Sequence, residues 1–178
     1  QMLTILSSLA QGEAESISTN NKWAVKKRFQ DGTFKLSDPA YGYSKDEDGN
    51  LIIKEYEAEI VRRIFHEYLN GKGSYVIARY LNDDNVPTIR SAEEWQDSVV
   101  KEILQNPIYE GDLLLQKTYT TEVLPFERKL NKGELPQYFV ENNHEPIITR
   151  KEGQMVRDIY EYRRNQMGVD DSGKYQNR

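Results

Sequence analysis

Apolar positions recur at helical spacing through the first thirty residues, at Leu3, Leu6, Leu9, Ala10, Ile17, Ala24, Val25 and Phe29, with no proline among them. The pattern predicts one long helix over 1–30, with Gly32 as its stop. Its first ten residues are apolar or small on most sides. A lone helix in water cannot sustain that, so this end is expected to pack on another chain or another domain. From Lys22 to Arg28 the same helix turns basic and amphipathic. Residues 31–40 hold Gly32, Ser37 and Pro39 without periodicity and read as a linker.

Further along, Tyr41 to Ser44 and Leu51 to Ile53 flank the polar run Asp46 to Asn50, the pattern of a short hairpin. Ala58, Val61, Ile64, Phe65, Tyr68 and Leu69 form the stripe of a helix over 55–69, closed by Asn70 and Gly71. Ser74 is placed to N-cap a second helix that carries Val76, Ile77, Tyr80 and Leu81. Asn82 to Pro87 reads as a turn. A third helix over 94–105 points Trp95, Val99, Val100, Ile103 and Leu104 inward and ends at Asn106 and Pro107. Strand-like segments at 111–121 and 137–142, separated by a charged loop over 124–136, precede a last helix over 151–166 with Thr149 as its N-cap. Residues 167–178 are polar and read as a flexible tail. The fold class is α+β: a long N-terminal helix, a linker, then a mostly helical domain over 41–166 with a helix-turn-helix-like unit and a small antiparallel sheet.

Charge complicates the functional reading. With 24 Lys and Arg against 29 Asp and Glu, the formal net charge is -5. An acidic chain argues against nucleic acid, because phosphate binding runs on Lys and Arg. The distribution is uneven, however. Lys22, Lys26, Lys27, Arg28 and Lys35 stand against Asp31, whereas Asp46, Glu47, Asp48, Glu55, Glu57 and Glu59 crowd the next stretch. No apolar run approaches a membrane span, and the first residues lack the basic flank of a signal peptide. The absence of cysteine excludes disulfides and thiolate zinc sites and is compatible with a cytoplasmic setting.

Catalytic and metal motifs are not found. Neither His66 nor His144 has a second histidine or spaced carboxylate beside it, so no metal or other cofactor is expected. Asp46 to Gly49 resembles a calcium loop, but its glycine comes too early and the closing glutamate is absent. Gly71 to Ser74 resembles the end of a phosphate loop without its first glycine or preceding strand. The constellation with content is the helix pair at 74–83 and 94–105, preceded by a longer helix, the plan in which a second helix enters the major groove. Gln96, Ser98 and Lys101 are left on its outer side, chemistry suited to adenine, to either groove partner and to guanine or phosphate. Arg90 lies in the preceding turn. Lys26, Lys27, Arg28 and Lys35 are the candidate phosphate contacts, with Lys117 near the strands as a further one.

The order of the motifs then points to a family. Ser8 to Gln11 through Ser18, with Lys27 and Arg28, resembles the end of the long helix that leaves the catalytic domain of serine recombinases. Pro39 to Tyr43, Ile77 to Asn82 with Val86 to Thr88, Trp95 to Leu104, Asn106 to Gly111 and His144 to Ile148 resemble, in sequence, the recombinase domain of the large serine recombinases. The resemblance covers about residues 1–165. It implies double-stranded DNA as partner, other recombinase subunits as further partners, and binding to one half of an attachment site for a phage or mobile element. It implies that the catalytic serine lies upstream of residue 1 and that a cysteine zinc ribbon follows, so that this stretch is not itself an enzyme. It also implies a cytoplasmic, bacterial or phage-encoded protein that does not enter a membrane. A helical dimerisation module, or a helix-turn-helix transcriptional regulator, is the alternative.

Overall fold

The computed structural model describes residues 2–89, 92–121 and 125–167. Its order is α1 (Met2–Gln30), β1 (Tyr43–Lys45), β2 (Leu51–Ile53), α2 (Glu55–Leu69), α3 (Ser74–Asp83), α4 (Asp97–Gln105), a 3-10 turn (Pro107–Glu110), β3 (Leu113–Leu115), β4 (Thr118–Thr120), β5 (Arg128–Leu130), β6 (Tyr138–Val140) and α5 (Arg150–Gln166). The α+β class is as the patterning predicted. The chain forms two compact units, residues 1–36 with 114–140, and residues 37–113 with 141–178. The predicted tail from Gly168 onward lies outside the described residues.

The larger unit holds the main core. Helix α2 buries Val61, Ile64 and Phe65, α3 buries Ile77 and Leu81, and α4 buries Val100, Ile103 and Leu104. The hairpin β1–β2 is antiparallel with Tyr43 opposite Ile53. Its turn is held by the Asp46 carboxylate, which accepts from the Asn50 amide at 2.7 Å and the Asp48 amide at 3.0 Å. The calcium-like run is thus a turn whose carboxylate is already engaged. Tyr43 is buried, and its hydroxyl donates to the Glu145 carbonyl at 3.0 Å. Thr149 caps α5 as expected, with Glu152 reciprocating in a capping box. Two buried carboxylates tie α5 down. Asp112 pairs with Arg150 at 2.6 Å, and Glu110 pairs with Arg157. Burial alone would raise the Asp112 carboxyl. The hydrogen bonds from Arg150 and the Asn142 amide outweigh it and hold the group below the usual carboxylate range.

Three expectations need correction. Ser74 is not the cap of α3; Gly73 is, and the Ser74 hydroxyl instead donates to Asp97. The third helix begins at Asp97, so Trp95 is buried ahead of the helix and Gln96 is its N-cap. Val99 is half-buried, and the inward face is carried by Val100, Ile103 and Leu104. Trp95 leaves the helix because its backbone amide donates to the Asn82 side chain at 2.7 Å. Its indole also donates to the Val86 carbonyl at 3.0 Å. Together they bind it to the end of α3 and to the loop that follows it. The segment read as a charged loop also contains a strand: β5 pairs antiparallel with β4, Tyr119 opposite Lys129. Three residues are too few for alternation to show in the sequence.

His144 acts as an internal strut. Its Nε2 lies 2.6 Å from the Ile108 carbonyl, and its ring stands edge-on to Tyr43 with centroids 4.8 Å apart. The carbonyl requires the Nε2–H tautomer. Burial pushes the imidazole below its ordinary range, more than the Ile108 and Asp112 oxygens restore it. The unfolded chain therefore takes up a proton more readily, and folding stability should fall as pH drops below about 6.5. Denaturant midpoints between neutral pH and about pH 5.5 should decline in the wild type and flatten in His144→Gln. An equal decline in the variant would remove His144 as the cause.

Candidate nucleic-acid interface

The smaller unit is built around the end of α1. Phe29 packs edge-on against Phe34 at 4.6 Å between centroids and lies 5.8 Å from Tyr138 of β6. β6 pairs with β3, and β4 with β5. On this frame Lys26, Lys27 and Arg28 are exposed in the last turns of α1. Lys22 and Lys26 are four residues apart and share a helix face. Lys27 lies 5.4 Å over the Trp23 ring, and Arg28 Nε donates to the Ala24 carbonyl at 3.4 Å. Cations at a helix C-terminus also complement its dipole, an effect of roughly 0.3–1 kcal/mol that needs no ligand. Lys35, in the extended segment after Gly32, and Lys117, between β3 and β4, are exposed as well.

The other candidates belong to the larger unit. Gln96 and Ser98 are exposed at the start of α4. Lys101 is exposed but lies 2.6 Å from Asp97, one turn back on the same helix. The hydrogen bond to Asp97 holds the Lys101 ammonium above its ordinary range. Asp97 in turn stays ionised: burial would raise it, but Lys101 and the Ser74 hydroxyl prevail. Lys101 is thus already partnered, and exposed Glu93, Glu94 and Glu102 surround the same helix. Arg90 lies outside the described residues.

The structure therefore brings Lys26, Lys27, Arg28, Lys35 and Lys117 into one unit and Gln96, Ser98 and Lys101 into the other. The division is electrostatic too. The unit of residues 1–36 and 114–140 holds nine Lys and Arg against six Asp and Glu; the other holds fifteen against twenty-three. Sequence reasoning missed Arg128, Lys129 and Lys132 of the basic unit, because they fall in the segment taken for a loop. A count of charge by structural unit finds them, whereas a count along the chain does not.

One unit is a helical core and the other a small net-basic α/β unit, and comparison with known proteins gives the family. The family model described as Recombinase matches residues 55–163, more than half of the chain, and the chain belongs to that family. The resemblance to the recombinase domain of large serine recombinases is thereby borne out; that domain is the non-catalytic, DNA-binding portion of the family's architecture. A putative DNA recombinase of Bacillus subtilis (strain 168) is 36% identical over 88 residues, which are 46% of this chain and 17% of that protein. A solved structure of an LSR–DNA complex superposes with a TM-score of 0.48 at 19% identity, covering 77% of this chain and 35% of that one. Another, from work on the attP site of a Listeria innocua prophage, gives 0.47 at 17% identity, covering 78% and 47%. The chain spans less than a fifth of the curated relative. Among the described residues, no helix is long and apolar enough to cross a membrane, and no cluster of His, Asp and Glu is arranged to hold a metal ion.

Proposed function

We propose that this chain binds one half of a recombination attachment site in duplex DNA, as part of a large serine recombinase that integrates or excises a phage or mobile element. The observation that carries the reading is the segregation of charge: an acidic chain keeps a net-basic unit built on the end of α1. Lys26, Lys27, Arg28, Lys35 and Lys117 contact phosphates and release counterions, the term that supplies most sequence-independent affinity. The segment over 31–38 crosses the backbone or enters the minor groove. Arg90 is kept as a further candidate phosphate contact, and Gln96 and Ser98 at the start of α4 meet base edges in the major groove. Lys101, tied to Asp97, orients the helix start and adds less charge than its type implies.

The catalytic serine belongs to a portion upstream of this stretch, and residues 167–178 lead toward a zinc ribbon. In this reading residues 1–30 are the end of the interdomain helix, 31–40 its linker and 41–166 the DNA-binding domain. Met2, Leu3, Ile17 and Trp23 stand exposed along α1, which supports contact with another recombinase subunit there.

The two classes of contact separate in one experiment. Lys26→Ala with Lys27→Ala should weaken binding about equally on a selected half-site and on random duplex. Gln96→Ala should lose roughly 1–3 kcal/mol on the selected half-site and relax preference at one position, leaving random-duplex binding unchanged. Wild-type affinity in the lysine variant would contradict the phosphate assignment. Uniform loss in the glutamine variant would move base reading away from α4.

A further inference from the structure

The β4–β5 ribbon has no role in the reading above, yet it carries part of the charge excess of the basic unit. Strand geometry places alternate side chains on opposite faces. With Thr118 opposite Leu130 and Thr120 opposite Arg128, one face shows Arg128, Leu130 and the two threonines. The other shows Lys129 opposite Tyr119. Each face therefore presents one cation. Arg128 Nε donates to Thr118 Oγ1 at 3.0 Å, which lays the guanidinium across the ribbon. Its terminal nitrogens make no other hydrogen bond among the described residues. Lys129 lies 3.6 Å from Glu127, with both side chains more than half exposed. Such a surface pair holds its partners weakly and yields readily to a phosphate.

The base of the ribbon is fixed by Asn131, a buried side chain only 5% exposed. Its Nδ2 donates to the Gln116 carbonyl at 2.9 Å and the Leu135 carbonyl at 2.8 Å, while its Oδ1 accepts from the Gly133 and Leu135 amides at 3.1 Å. Its backbone amide donates to the Lys117 carbonyl at 2.8 Å. The clamp orders the turn over 131–135 and the start of β4 together. A ribbon held this way loses little freedom on binding.

We propose that the β4–β5 ribbon is a second DNA-contacting arm, with Arg128 and Lys129 engaging phosphates on opposite walls of one groove and Asn131 as the residue that positions it. The major groove, about 12 Å wide, admits a two-stranded ribbon. A ribbon inserted edge-on between the two strands of the duplex turns each of its faces toward one sugar–phosphate wall. Phe126 and Leu130, exposed at 65% and 61%, would equally suit a protein surface. The excess of cations in this unit favours the polyanion. This arm rests on the proposal that the chain binds duplex DNA.

The test is fluorescence anisotropy of the whole chain on a mixed-sequence duplex across a salt series. Each phosphate contact contributes roughly 0.9 to the slope of log affinity against log salt. Arg128→Ala with Lys129→Ala should lower that slope by one to two units and affinity about tenfold, as should Lys26→Ala with Lys27→Ala. Asn131→Ala, kept only if circular dichroism shows it folded, should lose slope although both ribbon cations remain. If the ribbon variant keeps the wild-type slope while the α1 variant loses it, the arm is rejected and the DNA reading stands. If neither variant changes the slope, the DNA reading itself falls.

Discussion

Gly42→Ala should cost about 3 kcal/mol or more of folding stability, the sum of two separate penalties. Gly42 sits at φ +95, a conformation that L side chains rarely adopt. Holding alanine there costs about 1–3 kcal/mol. The position is also closed: a Cβ would meet Ile147 Cδ1 at 2.8 Å and Val61 Cγ2 at 3.3 Å. Val61 is fully buried and Ile147 nearly so, and forcing extra volume into a packed core costs about 1–3 kcal/mol. The backbone cannot swing away cheaply, because the Gly42 amide donates to Glu57 Oε2 at 2.9 Å and its carbonyl accepts from the Lys54 amide at 2.9 Å. The hairpin is thereby locked onto the start of α2. Urea unfolding should show a lower midpoint at unchanged slope; a midpoint near wild type would mean that the hairpin tolerates rearrangement.

Trp95→Ala should be of similar size, about 3–5 kcal/mol, the usual range for truncating a buried large aromatic. The ring is buried, packs edge-on against Tyr41 at 5.4 Å, and its indole nitrogen satisfies the Val86 carbonyl. Truncation opens a cavity and orphans that carbonyl. Trp95→Phe should recover the packing and leave the lost hydrogen bond, worth about 0.5–1.5 kcal/mol. Because Trp95 fixes the chain just before α4, the alanine variant should also blur any sequence preference read by Gln96. A variant of wild-type stability would show that the loop over 84–96 is held by other contacts.

The helices were legible because their stripes are long. α2 matches its predicted span, and the Thr149–Glu152 capping box announces α5 from two residues. The start of α4 was not legible, since Trp95 suits a helix face as well as a loop anchor. What decides is its amide bond to Asn82, a contact across thirteen residues of sequence. β5 was hidden by brevity and by the charges around it. In the candidate interface, the basic stripe of α1 could be read directly. The pairing of Lys101 with Asp97 was implicit in their spacing of four, which favours an ion pair on a helix. The grouping of basic residues by unit depends on strand pairing between distant segments, and no local pattern reports it.

An acidic protein can bind a polyanion when its cations are gathered, because screening confines each exposed charge to roughly 8–10 Å in physiological salt. The acidic surface of the larger unit then limits nonspecific affinity, and linked modules of a full recombinase would supply the remainder through effective concentration.

The most direct measurement is the amide chemical-shift response of the whole chain to duplex DNA. Shifts at residues 22–35, at Lys117 and over 128–132 are predicted on any duplex, with Gln96 and Ser98 responding further on a selected half-site. Shifts confined to the acidic unit, or none at duplex concentrations well above that of the protein, would contradict the account.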